Sequence, residues 1–204
     1  MAATVITVHE KNPQQRLLRP AVDLIGSGGV VVYPTDSCYA VGCLIGSRDA
    51  IQRIRRIRNL SDDHNLTLAV RDLSELGRYA TVSDHAFRIL KRNTPGPFTF
   101  LLTATRDVPR MLHHPKRRTI GIRVPDHPVT IALLEMLSAP LLTTSLILPG
   151  ESWPLGDPKE IVEKLGKLVD IVVLAGWGGT VPTTVIDLCS VPPALVREGL
   201  GKLS

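Results

Sequence analysis

The stretch VVVYPTDSCYAVGC, Val30 to Cys43, decides the fold. Val30, Val31 and Val32 are β-branched and Tyr33 follows, which is the composition of a buried strand. Pro34 has no backbone N–H, so the regular ladder stops there. Thr35, Asp36 and Ser37 then place short polar side chains in a row. Apolar strand resumes from Tyr39 to Leu44, with Gly42 permitting close backbone approach. A strand that halts at hydroxyls and a carboxylate and then restarts reads as the wall of a polar site. The same residues also suit a strand connection capped by an Asx or Ser/Thr turn.

Working outward, residues 4–9 read as a first strand, and Pro13 opens a helix to about residue 25, closed by Gly26, Gly28 and Gly29. Ser47 is placed to cap a helix over RDAIQRIRRIR, and residues 66–70 read as a short strand. Asp72 and Glu75 have capping-box spacing, and Ser83 starts another helix ending near Arg92. Residues 98–103, 119–124 and 141–145 read as strands, with a helix over 128–137. Asp157-Pro158-Lys159-Glu160 supplies a cap, a first-position proline and a glutamate three residues after the cap, opening a helix to about 167. Strands over 171–174, 184–188 and 195–197 finish the chain. Some strands lie too close in sequence for helical crossovers, which implies an α/β or α+β domain around a mixed sheet. The longest irregular pieces, 108–118 and 146–155, are candidate site loops.

At 204 residues the chain is long enough for one sizeable core. Its 44% hydrophobic and 21% charged content is that of a soluble globular protein. A net charge of +5 favours an anionic partner such as nucleotide or RNA. Aromatics make up only 4%, which argues against extended base stacking. Cys38, Cys43 and Cys189 are odd in number, lack metal-ligand spacing and read as buried thiols in a reducing compartment. The N-terminus shows no apolar signal region, and no apolar run approaches the about 18 residues of a membrane span, so a cytoplasmic protein is expected.

Chemistry-bearing residues recur at strand and helix borders. On the basic helix, Ala50, Ile51, Ile54 and Ile57 share one arc, with Arg48, Arg53, Arg55 and Arg56 on the other. Those four arginines form either a solvated face or an RNA contact. Arg58 falls on the apolar side, where a guanidinium needs an anionic partner, a structural carboxylate or a bound phosphate. Arg123 stands in TIGIRVPDHP, placed to hold a carboxylate or phosphate bidentately. His127 in the same segment suits either a base or a turn cap. Thr183, Thr184 and Arg197 stand at later strand borders. No P-loop or GxGxxG fingerprint is present.

Taken together, YPTDSCYAVGC, TPGPFTFLL, TIGIRVPDHP, TTSLILPG, PTTVIDL and VREG resemble the YrdC/YciO family, which includes the L-threonylcarbamoyladenylate synthases. RIRNLSDDHNLTL is similar to the YciO branch. The resemblance implies a single α/β domain over 1–204, with a twisted mixed parallel/antiparallel sheet and flanking helices. In the synthases, a carbamate of threonine attacks the α-phosphorus of ATP, pyrophosphate leaves, and the product serves tRNA modification. The implied nucleotide- and substrate-binding set is Thr35, Tyr39, Arg58, Arg123, Ser145, Thr183 and Arg197, with Arg58 and Ser145 as the catalytic candidates. The synthase pattern Lys-x-Arg falls on Arg58 and Leu60, Ser-x-Asn falls on Ser145 and Ile147, and a threonine-holding His falls on Ala69.

With that phosphate end half replaced, nucleotide and RNA binding is the expected function. The RNA would be tRNA or double-stranded. Synthesis of threonylcarbamoyl-AMP, or action on a threonylcarbamoylated RNA or nucleotide, are the alternatives. The expected ligand is ATP or AMP with Mg²⁺, neither tightly bound, with no protein metal site, no membrane contact and no DNA specificity.

Overall fold

Thr4–Thr7 forms the first strand, β1, and Gln15–Gly26 the first helix, α1. The Pro34 break separates β2 (Val31–Tyr33) from β3 (Ala40–Leu44), which pair antiparallel. The basic helix α2 (Arg48–Arg58) ends on Asn59 in the left-handed region, at φ 49°. Ser47 precedes it, but its side chain makes no capping bond. After β4 (Thr67–Ala69), Asp72 accepts from the Ser74 amide and starts a 3₁₀ turn that runs into α3 (Leu76–Tyr79). A two-residue strand, β5 (Ala80–Thr81), carries no signal in the sequence pattern. Ser83 then caps α4 (Asp84–Asn93) through the Ala86 amide. The remaining elements are β6 (Phe98–Ala104), β7 (Thr119–Arg123), α5 (Pro128–Leu137), β8 (Leu141–Ser145), α6 (Pro158–Leu165), β9 (Ile171–Leu174), β10 (Thr184–Asp187) and β11 (Ala194–Arg197). This computed structural model describes residues 2–61, 64, 66–114 and 116–203; part of RIRNLSDDHNLTL lies outside them.

The strands join into one eleven-stranded mixed sheet, in the order β1-β9-β2-β3-β8-β4-β7-β6-β10-β11, with β5 on β6. Parallel pairs (β1/β9, β2/β9, β4/β7, β6/β10) are interspersed with antiparallel ones, as the short connections required. One face carries Val30, Val32, Val41, Leu68, Phe100, Ile120, Ile122 and Leu142, packed under apolar residues of α2, α4 and α6. The other face carries Val31, Tyr33, Ala40, Leu141, Ile171 and Val173 beneath α1 and α5.

That second helix layer covers only part of its face. Successive strand side chains alternate between faces. Leu141 lies under the helices, and Thr143 and Ser145 continue the same face beyond them. Likewise Phe98, Phe100 and Leu102 fill the first core, which turns Thr99 and Leu101 to the opposite side. The bare part of the second face is therefore polar, and it is where the cavity opens. Among the described residues no helix is long and apolar enough to cross a membrane.

Candidate anion and nucleotide site

The cavity measures about 400 Å³ and lies over β8, β4, β7, β6, β10 and β11. Its floor is built from hydroxyls on neighbouring strands, Thr67, Thr99, Thr143 and Ser145, with Thr183 just before β10. Thr99 and Thr183 hydrogen-bond to each other at 2.9 Å, and Tyr33 donates to Thr143 at 2.8 Å. Leu101, Ile147, Val185 and Val196 form apolar walls. Gly121 is packed against two of these threonines: a Cβ there would stand 2.6 Å from Thr67 Oγ1 and 3.1 Å from both Leu66 O and Thr99 Cγ2. Gly121→Val is expected to destabilise the protein by about 1–3 kcal/mol through overpacking. Urea unfolding reads this directly; an unchanged midpoint would show that the threonines yield freely.

Arg58, Arg123 and Arg197 all line the cavity, and their situations differ. Arg123 is 5% exposed and donates from Nη2 to Asp36 Oδ1, a buried ion pair across the Pro34 break. Asp36 Oδ2 and Arg123 Nε have no partner. Arg197 donates from Nε and Nη2 to Thr183 O, and from Nη2 to Thr183 Oγ1, which positions the guanidinium without neutralising it. Arg58 is half-buried at the end of α2, and its buried Nε has no hydrogen-bond partner. Burial pushes it down to about 10, so it remains charged near neutrality. A guanidinium desolvated without a counterion is a destabilising arrangement unless an anion completes it. Arg58 thus meets the need read from its inward helical position, and no structural carboxylate fills that need among the described residues.

Two members of the expected set sit elsewhere. Thr35 is 8% exposed and donates to Cys38 O at 2.6 Å while accepting from the Ser37 amide at 3.3 Å. Its hydroxyl closes a Ser/Thr turn and does not line the cavity. Both readings of the YPTDS break therefore hold in part: Thr35 makes the turn, and Asp36 buttresses the site through Arg123. Tyr39 is wholly buried, and its hydroxyl donates to Gly176 O at 2.8 Å and accepts from the Ala175 amide at 3.0 Å. It braces a loop and is not part of the cavity lining. His127 caps α5, with Nδ1 accepting from the Val129 amide at 3.3 Å, and burial lowers its pKa. Burial also raises the Cys38 thiol against the pull of Ser145 and Arg123, keeping it neutral.

The helix face splits too. Arg53 is bound by Asp170 at 2.8 Å and donates to Leu168 O at 2.7 Å, so it braces α2 against the segment before β9. Arg55 donates to Ser61 O and Met111 O. Arg48 and Arg56 are exposed. Of the positions set against the synthase pattern, Ile147 lines the cavity and Leu60 packs against the first core. Ala69 is 1% exposed inside the second core. Sequence reasoning missed Thr67, Thr99 and Thr143 as lining, although the alternation in FTFLL and LLTTS carried the signal. Of the two irregular pieces, 146–155 supplies Ile147, whereas 108–118 contributes no described residue to the lining.

The Sua5_yciO_yrdC family model, described as "Telomere recombination", matches residues 23–199. The chain belongs to the Sua5/YciO/YrdC family. Within it, YciO of Escherichia coli K12 is 54% identical over 194 residues, spanning 95% of this chain and 94% of that one. The crystal structure of E. coli YciO superposes with a TM-score of 0.96 over 98% of this chain and 97% of that chain, at 52% identity. A threonylcarbamoyl-AMP synthase of Pyrococcus abyssi is 28% identical over 96% of this chain and 57% of its own length. The crystal structure of P. abyssi Sua5 complexed with L-threonine superposes with a TM-score of 0.88, at 26% identity, over 97% of this chain and 58% of that one. The Sua5/YciO/YrdC fold, a mixed open sheet flanked by helices, is thus the fold of this chain.

Proposed function

We propose that this protein binds nucleotide and RNA, as a family member related to tRNA threonylcarbamoyladenosine metabolism. The observation that carries the reading is Arg58, a desolvated guanidinium with a buried, unpartnered Nε on the wall of a hydroxyl-lined cavity. A phosphate supplies the missing acceptor oxygens in a geometry that suits a guanidinium. Arg197 stands as a second cation, and the apolar walls suit a base or ribose face. A cavity of about 400 Å³ is in the range of small-ligand sites. The L-threonine in the P. abyssi Sua5 structure supports a small-molecule role for this fold.

Mg²⁺ has no resident site in this reading. Among the described residues no Asp or Glu lines the cavity, and no group of three or more His, Cys, Asp or Glu could hold a metal. Mg²⁺ would enter as part of a nucleotide's phosphate complex.

RNA binding is assigned to the exposed arginines of α2, Arg48 and Arg56. Arg53 is excluded by its bond to Asp170, since its replacement would disturb packing as well as charge. Arg48→Glu with Arg56→Glu is expected to weaken RNA binding at low salt. It should also flatten the slope of log affinity against log salt by roughly 1–2, about one unit for each phosphate no longer neutralised. Fluorescence anisotropy with a labelled tRNA at several salt concentrations measures both. An unchanged affinity and slope would return the helix to solvated surface and remove the RNA half of the proposal.

A further inference from the structure

We propose that the cavity selects a phosphate monoester dianion, the group that ends a nucleoside monophosphate, over a di- or triphosphate and over a phosphodiester. The inference deepens the nucleotide reading above and rests on it.

Two cations in the cavity have no counter-charge. Arg58 has a buried Nε without a partner, and Arg197 donates to neutral oxygens of Thr183. Arg123 lines the cavity too, but its charge is spent on Asp36. Arg58 and Arg197 both lie within electrostatic reach of the Cys38 thiol, to which the Ser145 side chain hydrogen-bonds. The two open guanidinium groups therefore converge on the Ser145 end of the cavity.

The hydroxyl floor is polarised the same way. Thr143 Oγ1 accepts from Tyr33, and its own hydrogen has no acceptor among the described residues. Thr183 Oγ1 accepts from Arg197 and shares a hydrogen bond with Thr99. Whichever of those two threonines donates, one hydroxyl hydrogen of the pair remains. The site thus offers hydrogens and positive charge, and no described Asp or Glu lines it. Such a surface fits a group that only accepts, and a doubly ionised phosphate is that group.

Charge sets the selection. A monoester carries close to two negative charges near neutrality, which matches the two open guanidinium groups. A diester carries one fewer and leaves a guanidinium unneutralised. A di- or triphosphate brings further charges, and the described lining holds no lysine and no other arginine to meet them. They would stand against the walls of Leu101, Ile147, Val185 and Val196, where an unpaired charge is costly. Mg²⁺ relieves that excess only while keeping several of its waters, since no described carboxylate of the lining replaces them.

Calorimetric titration of the full chain at low salt and pH about 8, where the monoester is a dianion, compares AMP, ADP, ATP and cyclic AMP. AMP is expected to bind about 10-fold or more tighter than ATP and than cyclic AMP, with ADP between AMP and ATP. Added Mg²⁺ should narrow the gap to ATP without closing it. Arg197→Gln should bring AMP and cyclic AMP together, because one of the two matched charges is gone; a merely structural loss would lower both alike. Ile147→Lys adds a cation to the apolar wall and should raise ATP affinity about 10-fold, with a smaller change for AMP. A short RNA with a terminal phosphate, and the same RNA without it, then compete with bound AMP. Displacement by the phosphorylated RNA alone places the monoester on an RNA end, and displacement by neither places it on a free nucleotide. Displacement by both equally overturns the selection, since diesters then compete. ATP or cyclic AMP binding as tightly as AMP, or unchanged ratios in both variants, also overturns it and leaves the nucleotide reading intact. No binding of any of the four nucleotides overturns the nucleotide reading and the selection with it.

Discussion

Supplied with ATP, threonine and bicarbonate, the protein is expected to release pyrophosphate at least about 10²-fold more slowly than a metabolic enzyme turning over at about 1 s⁻¹. The reason is the wall at Ile147. The synthase pattern has a polar Asn at that position, and Ile147 presents only hydrocarbon to the cavity. Removing one preorganised donor costs about 10²–10³ in rate. Ground-state binding through Arg58 and Arg197 does not offset this, because catalysis depends on interactions that strengthen in the transition state. Ile147→Asn is therefore expected to raise synthesis measurably. Ala69→His, which the synthase pattern also suggests, should fail for a structural reason. Ala69 is packed beneath the second helix layer, where an imidazole overfills the core. Wild-type turnover near 1 s⁻¹ would show that the apolar wall does not limit the chemistry.

Asp36→Ala is expected to cost about 3–5 kcal/mol of stability, the usual penalty for stripping one partner from a buried ion pair. The side chains of Arg123 and Asp36 are 6% and 8% exposed, so water cannot replace the missing carboxylate. Arg123 Nε already lacks a partner, which leaves the guanidinium with little to fall back on. Asp36→Ala with Arg123→Met should lose much less than the sum of the single changes, because the uncompensated charge goes as well. Urea unfolding of the four proteins gives the coupling. A loss under about 1 kcal/mol for Asp36→Ala would mean that cavity water screens Arg123 as at an exposed site.

Much of the fold was legible because its signals are local. Proline and glycine breaks, caps and alternation placed β8, β9 and α5 at the bounds observed. The Asp157-Pro158 start was equally plain, and Asp157 caps α6 through the Lys159 amide at 2.9 Å. The two-residue β5 was missed because so short a strand has no periodicity to read. The site was legible only in part. Arg58 and Arg123 stood out because a cation in an apolar pattern demands a partner. The partner of Arg123 lies 87 positions away, and that of Arg53 lies 117 away, so spacing could not tell a site arginine from a brace. Thr35 and Tyr39 entered the expected set through the family resemblance. Their hydroxyls are consumed by Cys38 O and Gly176 O, bonds that only the folded chain reveals.

The central claim is that Arg58 holds the phosphate of a nucleotide in this cavity. Calorimetric titration of AMP and of ATP into wild type and Arg58→Ala, at low and high salt, tests it most directly. The account predicts binding to the wild type that weakens with salt and falls about 10-fold or more in Arg58→Ala, the loss of a charge-assisted hydrogen bond. Equal affinity in the two proteins, or no binding of either nucleotide to the wild type at low salt, would contradict it.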